Sequence, residues 1–363
     1  MSQPKRDVLI GLMGYTHNNS WVPRILEHLH KDMGQNCIHF NVEQCRDMLS
    51  PLESEKVLKY KKPYPLSLAI KGYNEIDKTP VDILIMEESF MWFENDLKIP
   101  VLYRHTETQM PLTVKYPTHV LYKNPEMNDF CHSMDPWGWK QILWKQNLFP
   151  AAHPPFWVNE VEKDVQCSFM GAPSDMFDRK RDYLWRIMQR DHWRIVDHIE
   201  SGHYCSTYTD LGDEGISHRI YNEMMSRSRH TILTAFNGVW VGRRVFEALA
   251  CKTIPIIWIE NDECERCYRA LKFIPYPERN HNCYFYRTPS ELPALAKREY
   301  DPQMAARGYD MFMSNHTFYH RAHEILDLIH RTCQRVQVKV PPFEGLIDKH
   351  LYKASTSRTK STT

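Results

Sequence analysis

Basic and acidic side chains open one short amphipathic segment in the C-terminal half of the chain. Arg243 and Arg244 stand at its start, and Glu247 follows one turn later. The spacing of apolar residues there predicts a helix, and the apolar run 254–259 has the composition of a buried strand. A helix N-terminus carries free N–H groups and partial positive charge, so with an adjacent arginine it predicts a phosphate site. Because a glutamate one turn in can accept hydrogen bonds from ribose hydroxyls, the segment suits a nucleoside diphosphate.

Several segments in a fixed order resemble the donor domain of two-domain GT-B glycosyltransferases, specifically the group related to the spore protein CgeB. The segments are 167–171 with Arg179 and Arg181, 221–237, 244–255, 286–292 and 316–322. The third resembles the family pattern R-x-F-E-A-L-A-x-G-x-x-P, and the last resembles H-T-[YF]-x-x-R-[AV]. We expect His316, in the last of these segments, to pack or to form hydrogen bonds within the pair of helices that ends the donor domain.

The resemblance implies an enzyme that moves a sugar from a nucleotide-diphosphate donor, such as a UDP-sugar, to a hydroxyl acceptor. It also implies that no metal and no further cofactor is needed, because arginines and helix N-termini neutralise the leaving diphosphate. The residues expected around the donor are Arg244, Glu247, Gly242, Gly171, Arg181, Asn237 and Gly238. Taken alone, Arg244 and Glu247 would be an ordinary solvated ion pair, and the order of the motifs favours the donor role.

One residue departs from the family pattern. Lys252 stands where the family has glycine. A turn that needs a positive φ is strained at any residue with a Cβ atom. We therefore expect a change either in the local backbone or in the donor contact that it makes.

Short apolar runs alternate with helical segments along the chain. The runs that read as strands in the first half are 7–11, 37–41, 81–86, 99–103 and 118–122. This alternation predicts an α/β protein, and with the resemblance it indicates two Rossmann-like domains facing a central cleft, the GT-B type. The proline-rich stretch 149–155 is the expected linker. The predicted units are an acceptor domain at 1–150, a donor domain at 151–335 and a tail at 336–363, whose Ser/Thr/Lys-rich end we expect to be disordered.

A general base for the acceptor would make the reaction inverting, and it should lie in an N-domain loop at the end of a strand. The candidates in such places are His17, Glu87, Glu88, His105 and Glu107. His17 and Glu87 rank first: His17 follows the first strand, and Glu87 directly follows a buried one. Glu87 and Glu88 could instead cap a helix. If neither His17 nor Glu87 acts, the donor phosphate could assist a retaining reaction.

The charge balance does not identify the acceptor. The chain has 46 basic and 45 acidic residues and a net charge of +1, so no overall field indicates a polyanionic partner. Two basic patches, 56–62 and 179–181, are compatible with phosphate contacts, although each has the composition of a solvated loop. A hydroxymethylated DNA base is the most specific acceptor hypothesis, with a protein, a glycan or a small molecule as alternatives.

Two other functions are alternatives to a transferase. If Lys252 blocks the donor turn, the protein is a non-catalytic nucleotide- or sugar-binding module. An epimerase-like enzyme is disfavoured, because the glycines at 11 and 14 lack the third glycine of a dinucleotide fingerprint. The cysteines at 264, 267 and 283 with His281 have irregular zinc spacing, so we expect no metal, and we read Asp262 and Glu263 as a solvated turn. With no signal peptide and no apolar stretch long enough for a membrane span, the expected location is cytoplasmic, with most cysteines as free thiols.

Overall fold

The chain divides into two compact units. A computed structural model describes residues 8–14, 21–42, 63–71, 81–87, 92–97, 99–105, 114–115, 119–122, 144–147, 161–169, 216–234, 241–332, 338 and 340. Unit 1 comprises Met1–Phe149 with Phe318–Thr363, and unit 2 comprises Pro150–Thr317. The first division lies where the proline-rich linker is predicted.

Unit 1 is built on a parallel sheet. Its elements in chain order are β1 (Leu9–Gly14), α1 (Trp21–Glu27), a π-helical turn (His28–Asp32), β2 (Asn36–Asn41), β3 (Tyr64–Pro65), α2 (Leu66–Lys71), β4 (Ile83–Glu87), β5 (Phe93–Glu94), β6 (Val101–His105), β7 (Val114–Lys115), β8 (His119–Tyr122) and β9 (Trp144–Asn147). Six strands form one sheet in the order β2-β1-β4-β6-β8-β9, and β3, β5 and β7 form a small second one. The strands pair in parallel in both sheets.

The central strands of unit 1 are apolar on both faces, as expected for a parallel sheet covered by helices. All six residues of β1 are buried, and so are the first four of β4. Trp21, Val22 and Ile25 form the buried stripe of α1. The sheet order reverses between β1 and β4, so the carboxyl ends of these two strands mark the switch point where open parallel sheets bind ligands.

Unit 2 has a four-stranded parallel sheet. Its elements are β10 (Val165–Ser168), α3 (Ile216–Arg227), β11 (Ser228–Leu233), α4 (Arg243–Ala250), β12 (Ile254–Trp258), α5 (Asp262–Ala270), β13 (Tyr284–Tyr286), a 3-10 turn (Pro289–Glu291), α6 (Leu292–Ala296) and α7 (Pro302–Asn315). The strands follow one another in the order β10-β11-β12-β13. The prediction of an α/β fold with two Rossmann-like units is confirmed.

The last helix, α8 (Phe318–Thr332), is grouped with unit 1, whereas the sequence assigned it to the donor domain. It packs against α1 and the π-helical turn, where the Tyr319 ring meets the His28 ring edge-on at 5.8 Å. His28 is also held by Asp32, with 2.6 Å between Nδ1 and Oδ2. Apolar periodicity detects the helix but carries no information about which sheet it covers.

Two further predictions concern membrane-spanning segments and the C-terminal tail. Among them, no helix is both long and apolar enough to cross a membrane. The predicted disordered tail, 355–363, lies outside the described residues.

Candidate functional site

Helix α4 begins at the carboxyl edge of the unit 2 sheet, because it connects the end of β11 to the start of β12. Its N-cap is Gly242, with extended backbone angles of φ −86° and ψ 158° and no side-chain cap. A Cβ atom built on Gly242 would meet nothing within 4 Å. Among the described residues there is thus room beside Gly242, at the sheet edge where parallel sheets bind ligands.

Glu247 is a buried carboxylate with a partner on each oxygen. The Arg243 Nε lies 2.9 Å from its Oε1, and the Tyr221 hydroxyl donates to its Oε2 at 2.9 Å. The residue as a whole is only 3% exposed. Burial of a carboxylate is costly unless it is paired and hydrogen-bonded, and these two donors meet that requirement.

Glu247 forms an ion pair with Arg243, whereas the sequence analysis considered a pair with Arg244. Arg243 lies four residues before the glutamate, and α-helical spacing brings such a pair together. Arg244 is half-buried at the opening of α4. The alternative of a solvated Arg244–Glu247 pair is therefore wrong for the glutamate, whose side chain is 4% exposed.

Sequence reasoning placed Arg243 at the start of the helix but did not predict that Arg243 and Tyr221 contact Glu247. The spacing of four residues could have identified Arg243. Tyr221 opens the resembling segment 221–237, but it lies 26 residues from Glu247. Only the packing of α3 beside α4 reveals its contact.

Lys252 has a left-handed backbone conformation, with φ 53°. The turn thus has the positive φ that strains a residue with a Cβ atom, so the first of the two expected changes, a backbone that avoids this conformation, is not seen. The Tyr300 hydroxyl donates to the Lys252 carbonyl at 2.9 Å, and the Lys252 Nζ lies 5.0 Å from the centre of the Tyr309 ring. Eight helical residues separate this turn from the start of α4, a length of about 12 Å, so Lys252 does not face the expected diphosphate.

Four predicted donor residues, Gly171, Arg181, Asn237 and Gly238, lie outside the described residues. The same is true of the basic patches 56–62 and 179–181. The structure therefore brings together Gly242, Arg244 and Glu247 at the start of α4, and adds Arg243 and Tyr221.

Glu87 is the last residue of β4 and is half-buried at the switch point of unit 1. A Cβ atom built on Gly14, at the end of β1, would lie 3.3 Å from the Glu87 Cβ. Burial lowers the pKa of the neighbouring His39, although a hydrogen bond to the Gly14 backbone and the charge of Glu87 oppose that change. The other leading candidate, His17, lies outside the described residues, as do Glu88 and Glu107, whereas His105 ends β6.

The spacing of cysteines around residue 264 belongs to a helix. Asp262 and Glu263 form the first turn of α5 and not a solvated turn, and the Asn261 side chain caps the helix by accepting from the Cys264 N–H at 2.8 Å. Cys264 and Cys267 are buried on this helix and form no disulfide in the described part of the chain. In the described part of the chain, no three His, Cys, Asp or Glu side chains are placed to hold a metal ion.

The terminal motif has a structural setting. His316 is the C-cap of α7, and its Nε2 lies 3.0 Å from the Leu271 carbonyl oxygen. Its ring centre lies 4.8 Å from that of Phe246 on α4. This contact ties the end of α7 to the helix of the candidate site, outside the terminal helix pair where we expected the bonding of His316.

Residues 183–327 match the family model described as Glycosyl transferase-like. This part of the chain is similar to that family. The match includes α4 and the cluster of Glu247. No curated protein matches the chain.

Solved structures share the fold at low identity. A glycosyltransferase from Rickettsia africae ESF-5 is similar with a TM-score of 0.53 and 10% identity, over 90% of this chain and 99% of that one. Anabaena HepE in complex with UDP-glucose is similar with a TM-score of 0.51 and 9% identity, over 89% of this chain and 99% of that one. Similarity at this level shows the fold, which is the GT-B type with parallel-sheet units.

Proposed function

We propose that the protein transfers a sugar from a nucleoside-diphosphate donor, of the UDP-sugar type, to a hydroxyl acceptor. The observation that carries this proposal is the Glu247 carboxylate, which is buried and held by two donors one turn inside α4, a helix whose N-terminus has no side-chain cap. This helix lies within the glycosyl transferase-like residues. The narrower relationship to the CgeB-like group is part of the proposal and rests on the sequence motifs.

In this proposal, positive charge at the start of α4 holds the diphosphate of the donor. The N–H groups after Gly242 and the guanidinium of Arg244 would bind the diphosphate, whose negative charge grows as the glycosidic bond breaks. Glu247 would accept hydrogen bonds from the ribose. In this proposal the arginine and the helix N-terminus replace a metal ion and no further cofactor is needed. Gly171, Arg181, Asn237 and Gly238 complete the proposed donor set.

Glu87 is the proposed general base among the described residues. It ends a buried strand at the switch point of unit 1, where a carboxylate can reach a ligand beyond the sheet edge. His17 stays an equal candidate from the sequence. Either residue would remove the proton of the acceptor hydroxyl and lead to inversion.

A hydroxymethylated DNA base remains the specific acceptor that we propose to test first. Its support is the composition of the patches 56–62 and 179–181, which combine basic and aromatic residues or cluster arginine with lysine. The alternative acceptors are a protein, a glycan and a small metabolite. We propose an intracellular location, which suits a reduced cysteine such as the buried Cys251.

The non-catalytic alternative receives no support from Lys252. This residue was the reason to consider a blocked donor turn, yet it lies at the opposite end of α4 from Gly242. Binding of a nucleotide sugar without hydrolysis or transfer to any acceptor would nevertheless favour a binding module.

The first experiment is a thermal titration with nucleoside diphosphates and their sugars. A ligand that binds only the folded chain raises its melting temperature with concentration. We expect a shift with UDP or UDP-glucose. Arg244→Ala and Glu247→Ala should each weaken that binding by about tenfold or more, as expected when a hydrogen bond to a charged group is lost.

The matched control is Arg331→Ala, which removes an exposed arginine from α8 in the other unit and should keep native affinity. Retained folding of each variant is checked by its circular dichroism spectrum. Native affinity in both Arg244→Ala and Glu247→Ala would remove the basis of the proposed donor site.

A further inference from the structure

We propose that Tyr221 is a positioning residue of the donor site. Its hydroxyl, together with Arg243, orients the Glu247 carboxylate toward a ribose hydroxyl and thereby makes the protein prefer ribonucleoside over 2′-deoxyribonucleoside diphosphates. This inference rests on the proposed function. It assigns to Tyr221 a part in donor selectivity that the sequence motifs do not indicate.

The geometry holds both oxygens of one carboxylate from two directions. The Tyr221 hydroxyl donates to Oε2 from α3, and the Arg243 guanidinium contacts Oε1 from the first turn of α4, each at 2.9 Å. A glutamate side chain otherwise rotates about several torsions. With a donor on each oxygen, the plane of the carboxylate is set by two separate helices.

The carboxylate keeps acceptor capacity after these bonds are made. An ionised carboxylate offers about four lone-pair sites, and the two named donors use one on each oxygen. A ribose has neighbouring hydroxyls that can donate to such a group. Because Tyr221 is itself 3% exposed, its hydroxyl stays with Glu247 without competition from bulk water.

The docking of α3 on α4 does not depend on this hydroxyl alone. At the far end of the two helices, the Ser226 Oγ lies 3.4 Å from the Cys251 Sγ. The Thr253 hydroxyl, just beyond α4, donates to the Met225 carbonyl at 2.6 Å. These contacts lie more than one helical turn from Tyr221, so Tyr221→Phe should release the carboxylate without displacing the helix.

The test compares Tyr221→Phe with the control Ser226→Ala. Both remove one buried hydroxyl of α3 that contacts α4, but only Tyr221 contacts Glu247. Calorimetric titration of each full-length variant uses UDP, ADP, GDP and CDP, and then the tightest of these beside its 2′-deoxy form. The ratio of the two dissociation constants is the readout, because a general loss of stability would weaken both nucleotides alike.

We expect the native chain and Ser226→Ala to bind the ribonucleotide about tenfold more tightly than the deoxy form. In Tyr221→Phe that ratio should fall to about one to three, through weaker binding of the ribonucleotide. Equal affinity of the native chain for both sugars, or an unchanged ratio in Tyr221→Phe, overturns the inference and leaves the proposed function standing. Failure of the native chain to bind any of the diphosphates contradicts the proposed function and, with it, the inference.

Discussion

At the scale of single residues, Lys252 shows how a departure from a family pattern can leave the backbone unchanged. Its φ of 53° lies in the region that glycine enters without strain, and a Cβ atom makes this region costly. The turn is held by the Tyr300 hydroxyl on its carbonyl and by the Tyr309 ring near its Nζ. These contacts offset part of the strain.

Two substitutions at this position separate the backbone from the side chain. Lys252→Gly and Lys252→Ala both lose the contact with Tyr309, but only alanine keeps a Cβ atom. We expect the glycine variant to be more stable than the alanine variant by about 0.5–1 kcal/mol, because the αL penalty exceeds the extra entropy of unfolded glycine. Urea unfolding of the two variants measures the difference, and an alanine variant of equal or greater stability would show that the turn is unstrained.

At the scale of elements, the end of β1 is packed so closely on α1 that it excludes even a methyl group. A Cβ atom on Gly14 would lie 2.7 Å from Val22 Cγ2 and 3.0 Å from Val22 Cβ. Both residues are buried, and the β-branched valine has few alternative rotamers. The glycine therefore determines how near α1 approaches the sheet beside Glu87.

Gly14→Ala should destabilise unit 1 by about 1–3 kcal/mol through this overlap. Val22→Ala alone should also destabilise it, because a buried side chain is lost. The double variant should lose less than the sum of the two, since removing the valine methyl groups makes room for the new one. Thermal unfolding of all three variants measures this coupling, and simple additivity would contradict the packing argument.

The sequence predicted elements well where a regular apolar pattern continues over several residues. The helix predicted to start at Arg243 corresponds to α4, and the strand predicted at 254–259 corresponds to β12. It failed at α5, because Asp262 and Glu263 suggest a turn although acidic residues also favour the first turn of a helix. In that case only the Asn261 cap distinguishes a helix from a loop.

At the scale of the whole molecule, each unit contains a histidine whose pKa is lowered by burial. Burial lowers the pKa of His39 in unit 1 and of His230 in unit 2, where the nearby charges of Arg229, Arg298 and Lys163 act in the same direction. His230 is fully buried and its Nδ1 lies 3.2 Å from the Gln166 carbonyl oxygen. Its Nε2 has no hydrogen-bond partner in the described part of the fold.

These histidines predict a loss of stability in mild acid. Because their folded pKa lies below the unfolded value near about 6.5, the stability from the neutral imidazoles is complete above that pH and falls as the pH drops through it. We expect a lower urea midpoint at about pH 5.5 than at about pH 7.5.

His230→Asn tests the cause, since an amide can keep the donor to Gln166 but does not titrate. The variant should be less stable at neutral pH, yet lose less stability between the two pH values than the native chain. Exposed His330→Asn is the control and should keep the native pH dependence. If His230→Asn loses as much stability in acid as the native chain, another group causes the effect.

The sequence by itself determined the class of the fold, most of its main strands and helices, and the position of α4, since apolar periodicity is a local property of the chain. It also indicated Gly242, Arg244 and Glu247 through their order in a motif. Tertiary structure decided that Tyr221 reaches Glu247 and that α8 joins unit 1. Both contacts form between segments that are far apart in the chain, so they depend on which helix faces pack together. The apolar pattern of a single helix does not say which partner covers it.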